Sequence, residues 1–152
     1  MNALDSSAEA LRQAVEVFWD VFPPLWQRIR AHIHQTARER FGVSVEQFHI
    51  LRHIRRGQGS VSELARVKNI SRAAVSQAVD ALVARGLVSR ATDPRDRRHI
   101  HLALTESGQA LLEAIFDETR QWMMRLLAPL AAEEVATLTQ AMALLRKVEE
   151  QQ

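Results

Sequence analysis

Between Ser62 and Thr105 the hydrophobic period of this chain passes from helical to strand-like over a short distance. Two short segments of helical period, separated by a polar turn, give way to a segment of strand period around an arginine-rich tip. Few architectures accept that order in so little chain. Ser60 or Ser62 can cap the first helix, and Ser60 has Glu63 three residues on, as a capping box requires. Leu64, Ala65 and Val67 give this helix, expected over 62–68, its apolar side. Lys68-Asn69-Ile70 is the turn, and Asn69 tolerates left-handed backbone angles. Ser71 then caps a second helix expected to run to Arg85, where Gly86 stops it.

In the second helix Val75, Ala78, Val79 and Leu82 recur at i, i+3, i+4 and i+7 and form a stripe to be buried. The other side shows Ser71, Arg72, Ala73, Ser76 and Gln77, then Asp80. Small residues let a helix approach closely, whereas Ser and Gln can read base edges or hold phosphates in a major groove. Asp80 is repelled by phosphate, so only the N-terminal half of this helix is expected to enter the groove. From Leu87 to Leu104 a hairpin is expected. Thr92 to Arg97 carries turn residues, and Ile100, Leu102 and Leu104 alternate with His99, His101 and Ala103. Its tip presents Arg95, Arg97 and Arg98, with Asp93 and Asp96 placed to orient them. Guanidinium groups suit phosphate and the narrow minor groove. The fold expected is mainly α with a small antiparallel β wing, a winged helix-turn-helix. The competing reading, a solvated hairpin on an ordinary helix pair, does not account for the joint occurrence of both features.

The run from Asp80 to Arg90 (DALVARGLVSR), the wing DPRDRR (Asp93 to Arg98) and the following LTESG (Leu104 to Gly108) resemble the multiple antibiotic resistance regulator (MarR) family. The likeness extends upstream through Ser44 to Leu51 and covers nearly all the chain. It implies a homodimeric winged-helix transcription factor, usually a repressor released by a small ligand, with the family's wing arginine at Arg97 or Arg98.

The net charge of +2 does not itself point to nucleic acid, but its distribution does. From Ser62 to Thr105 there are eight Arg or Lys against four acids, whereas from Glu106 onward there are four against eight. One lobe suits DNA and the other avoids it. Cysteine is absent, which excludes disulfides and thiolate metal sites. There is no long apolar run and no basic-then-apolar N-terminus, so a cytoplasmic protein without membrane contact is expected. Phosphate-cradling glycine loops, a nucleophile elbow and HExxH are all lacking, and nothing supports an enzyme or calls for a cofactor.

The 152 residues are expected to form one domain, with the winged helix-turn-helix at 44–105 and helical dimerisation segments at 8–40 and 106–150. Leu11, Val15, Phe18 and Phe22 recur at helical spacing, with Trp19 alongside. Pro23-Pro24 is expected to break or kink this helix before a second stripe of Leu25, Ile29, Ile33 and Ala37. Ser60-Val61 can supply a third strand to the wing. Pro129 is expected to end a helix carrying Leu111, Leu112, Ile115, Phe116, Thr119, Met123, Leu126 and Leu127. The terminal helices are too apolar for a small reader's core alone, which points to interdigitation with a second copy. Such a dimer would read a pseudo-palindromic operator of double-stranded DNA.

The resemblance also implies a small organic effector, often aromatic and acidic, bound between the dimer helices and the reader. Candidate wall residues are Phe22, Trp26, Arg30, His49, His53 and Met123, although aromatic and Met residues at helical spacing are more often core. His49 and His53, at i and i+4, with His32 and His34 on the preceding helix, leave a metal-responsive regulator as an alternative. Either histidine of the first pair can couple binding to pH. An architectural binder without an operator is a further alternative, because Ala73 and Ala74 read no bases.

Overall fold

A computed structural model of the chain describes residues 3–92 and 100–151, with the side chains of 3–6 and 92 excepted. Its elements are α1 (Ala3–Phe41), α2 (Val45–Arg55), α3 (Val61–Lys68), α4 (Arg72–Ala84), β1 (Val88–Thr92), β2 (Ile100–Leu104), α5 (Glu106–Leu127) and α6 (Ala132–Glu149). The chain divides into two units, Met1–Thr119 and Arg120–Gln152. Among the described residues no helix is long and apolar enough to cross a membrane.

Each boundary in the first unit has a local cause. Gly42, at φ +61°, ends α1. The Ser44 hydroxyl accepts the Gln47 amide while Gln47 Oε1 accepts the Ser44 amide, a complete capping box for α2. Ser60, rather than Ser62, caps α3 by accepting the Glu63 amide. Asn69 adopts φ 52° and ψ 46°, the left-handed turn its side chain tolerates, and the Ile70 amide reaches back to the Ala65 carbonyl. The chain thus folds back at Asn69, so that Ile70 packs on the core while Val67, expected on the apolar side, stays 43% exposed. Ser71 caps α4 at its Ala74 amide.

The core lies in the first unit. Phe48, Ile50, Leu51, Leu64, Val75, Val79, Leu82, Leu112 and Ile115 are sealed from solvent, and Val88 and Leu102 bring in the sheet. β1 and β2 pair antiparallel, with Val88 opposite Leu104 and Arg90 opposite Leu102. No third strand forms among the described residues. Val61 belongs to α3, and only the Gly59 carbonyl meets β2, accepting from the Leu102 amide at 2.6 Å.

Pro23-Pro24 does not break α1, which runs through both residues. The prolines remove the amide donors that would reach the carbonyls of Trp19 and Asp20, and the helix continues on both sides. Phe18 and Phe22 also stack across the preceding turn at 4.9 Å.

The LTESG segment has a steric basis. The Thr105 hydroxyl donates to the Gly86 carbonyl at 2.6 Å and accepts the Gly108 amide at 3.0 Å, so one side chain ties the end of the recognition helix to the start of α5. Gly108 then passes so close to the Leu87 backbone that a Cβ would lie 2.0 Å from the Leu87 carbonyl oxygen. Gly108→Ala must therefore displace α5 or the sheet. We expect a loss of at least about 2 kcal/mol in urea unfolding, the range of a serious overpacking.

Candidate nucleic-acid interface

α4 is oriented by what it buries. Val75, Val79 and Leu82 are fully enclosed, and together they contribute roughly 5–8 kcal/mol of apolar burial. With that stripe inward, Ser71, Arg72, Ala73 and Gln77 face solvent and Ser76 is half-buried. The expected reading residues thus lie together at the N-terminal end of one helix, the end that enters the major groove in helix-turn-helix proteins. At the other end Arg85 donates both guanidinium arms to the carbonyls of Gly42 and Phe41 (2.8 and 2.9 Å). It thereby satisfies the C-terminus of α1 and holds α4 against it.

Three features of this face were not singled out by sequence reasoning. An open depression of about 510 Å³ lies between α3 and the start of α4, and it sets Ser62 and Arg66 beside Arg72. In the sequence Arg66 enters only the charge balance, and its place one helical turn from Ser62 is the signal that marks it. Asp80 is not bare, because Arg90 of β1 donates to it at 2.6 Å. Lys68, at the α3 end, pairs with Glu46 of α2 at 3.4 Å. The wing arginines Arg95, Arg97 and Arg98, with Asp93, Asp96 and His99, lie outside the described residues.

The expected effector residues separate. Phe22, Trp26 and Arg30 follow at four-residue steps on α1 and are exposed. His49 faces α1, but its neighbour is His34, with ring centroids 5.2 Å apart, and both rings stand edge-on to Phe48. His53 turns away and is hydrogen-bonded through Nδ1 to Gln58 Oε1. Met123 is half-buried and belongs to the second unit. Among the described residues no three His, Asp or Glu side chains are grouped to hold a metal.

Burial holds the His49 imidazole down at about 4, and the cations of Lys68, Arg52 and Arg30, with His34, add to the effect. His34 is lowered by burial and by Arg30, Arg52 and Lys68.

The sequence profile of the MarR family matches residues 41–99, from the end of α1 into the wing. The repressor MdtR of Bacillus subtilis is 30% identical over 112 residues, covering 73% of this chain and 72% of that protein. The chain belongs to the MarR family. Members of that family are transcriptional regulators, not enzymes, with the winged-helix DNA-binding fold seen in this chain. Over their matches it spans 41%, 72% and 53% of the length of the first three curated relatives. The regulator Tm0710 of Thermotoga maritima shares the fold at TM-score 0.83 and 23% identity, covering 90% of this chain and 96% of that one. A point mutant of S. aureus MepR, solved bound to an oligodeoxyribonucleotide, does so at 0.68 and 22%, covering 89% and 98%.

The histidine pair gives this MarR-family regulator an acid-sensitive junction. Above the ordinary pKa near 6.5, His49 is neutral in both the folded and the unfolded chain. Between that value and about 4 the unfolded chain takes up the proton first, so stability falls as pH falls. Discounted for solvent screening, the loss is on the order of 1 kcal/mol between about pH 7 and 5. Thermal melting across that range should show it, and His49→Asn should flatten the dependence.

Proposed function

We propose that this protein is a homodimeric, sequence-specific repressor that binds a pseudo-palindromic operator and is released by a small aromatic acid. The outward face of α4 carries this reading: Arg72, Ala73, Ser76 and Gln77 stand at the capped end of a helix whose opposite side is locked in the core. Arg66 and Arg72 supply charge for the phosphate backbone on one side. Arg95, Arg97 and Arg98 do so from the wing. The repressor activity named for MdtR and the DNA-bound state of MepR support the same assignment.

The dimer is supported by large apolar side chains that are exposed among the described residues. On α1, Leu11, Val15, Phe18 and Trp19 are exposed, the last to 71%, and α6 exposes Leu138, Met142, Leu145 and Val148. Surface of this kind on two helices marks an association site. A two-fold dimer sets its recognition helices roughly 34 Å apart, one turn of duplex. The regulator acts in the cytoplasm, where its operator is.

Selection from a random duplex pool tests the reading. The enriched sites should be inverted repeats, and the protein should sediment as a dimer. Replacing Arg97 and Arg98 with Ala should weaken binding to every duplex and reduce the salt slope by about 0.9 log units per lost phosphate contact. Gln77→Ala should change sequence preference more than salt slope. Equal competition by random DNA would instead favour an architectural binder.

The effector reading is supported by Arg30 and Lys68, whose charges act on the His34 and His49 imidazoles where α1, α2 and α3 meet. That cluster suits a carboxylate, and Trp26, 43% exposed, suits an aromatic ring. His53, already occupied by Gln58, drops out of the ligand set in this conformation. A phenolic acid should quench tryptophan fluorescence, and Arg30→Ala should weaken that response about tenfold or more, as loss of a charged hydrogen bond does. A flat response across a panel of such acids removes the effector.

A further inference from the structure

We propose that Arg90 is a positioning residue for DNA recognition: through Asp80 it sets the angle between the wing and the recognition helix. The inference rests on the DNA-binding reading above and assigns to that interface a part that touches no base.

Asp80 follows Ser76 by one helical turn and lies on the same outward side of α4. A free carboxylate there would repel phosphate. Arg90 stands opposite Leu102 in the sheet register, so its side chain starts on the inner face, alongside buried Val88 and Leu102. From that face a side chain of this length can carry its charged end to α4. Nη2 then donates to Asp80 Oδ1 at 2.6 Å.

Two observations distinguish this pair from an ordinary surface contact. It joins the two elements that reach DNA, α4 and the wing, at the base of the latter. Outward from Arg90, Ala91 and Ile100 are exposed, so any change of angle at Arg90 grows along the strands. The pair is also half in water, with side chains 36% and 59% exposed, where ion pairs contribute little to folding stability. Its consequence is therefore expected in recognition rather than in melting temperature.

Charge and geometry predict opposite signs, which makes the test sharp. Removing the Asp80 carboxylate takes an anion away from DNA and frees Arg90, so charge alone predicts tighter binding to all duplexes. If the pair sets the wing angle, its loss weakens the selected duplex specifically. Asp80→Asn, Asp80→Glu, Arg90→Ala and Arg90→Lys would be titrated against duplexes enriched by the wild-type protein and against random duplex, with melting followed in parallel. We expect Asp80→Asn to bind the enriched duplex about tenfold more weakly, in the range for directly coupled residues. Binding to random duplex should stay level or rise, and melting should move by less than about 2 °C. Asp80→Glu, and Arg90→Lys relative to Arg90→Ala, should recover part of the selectivity. Parallel tightening on both duplexes, an unchanged ratio, or an affinity loss that tracks a falling melting temperature each overturns the inference. A wild-type protein that enriches no duplex removes the DNA reading and this inference together. One that enriches normally while Asp80→Asn matches it removes this inference alone.

Discussion

The anchoring of α4 is the constraint on which the rest depends. Val75, Val79 and Leu82 are wholly enclosed, and a helix sealed along one stripe has no rotational freedom left. Its ends are pinned as well, by the Ser71 cap at the start and by Arg85 on the last carbonyls of α1 at the finish. Every outward residue from Arg72 to Asp80 inherits its direction from that burial. The turn at Asn69 and the Thr105–Gly86 hydrogen bond then determine how the chain enters and leaves the helix. Steric complementarity at Gly108, with no room for a single methyl, carries the same rigidity into α5.

Charge is organised around this scaffold by pairing. Arg90 on Asp80, Lys68 on Glu46 and Arg55 on Glu113 each connect different elements. The Arg90–Asp80 and Arg55–Glu113 pairs are exposed and add little to stability, so their effect is on orientation and on the field that a polyanion meets, whereas the Lys68 side chain is largely enclosed. At the junction of α1, α2 and α3 the balance is different. Cations outnumber acids there, and the two histidines that touch across it are held neutral. A junction short of negative charge is disturbed by added protons.

The hydrophobic surface is not balanced within one copy. The interior is built from α2, α3, α4, the sheet and the nearer parts of α1 and α5, whereas the N-terminal half of α1 and all of α6 keep their large apolar side chains in water. α1 persists through Pro23-Pro24, and among the described residues the large apolar side chains of its N-terminal half are exposed. A second copy would supply the missing cover, and it would also determine the spacing of the two readers.

Much of this was legible in the chain as written. Capping residues, the left-handed turn at Asn69, the Val75–Leu82 stripe and the alternation of Ile100, Leu102 and Leu104 act over a few residues, and local rules suffice for them. The winged fold and the outward residues of α4 follow from those patterns, and the family from the resemblance carried by the Asp80–Arg90, Asp93–Arg98 and Leu104–Gly108 runs. The expected break at Pro23-Pro24 and the third strand at Ser60-Val61 did not form. In each case a neighbouring requirement won, helix continuity in the first and the need of α3 for a capped start in the second. The partners of Asp80, Arg85 and His49 were out of reach because each lies on another element, at a distance that no periodicity encodes. Local sequence thus specifies which segments become helix or strand and which side of each is apolar, since those choices are made within a turn or a pleat. The meeting of Arg90 with Asp80, of His34 with His49, and of Gly108 with the Leu87 backbone is settled by packing, because only closure of the core brings distant atoms into contact.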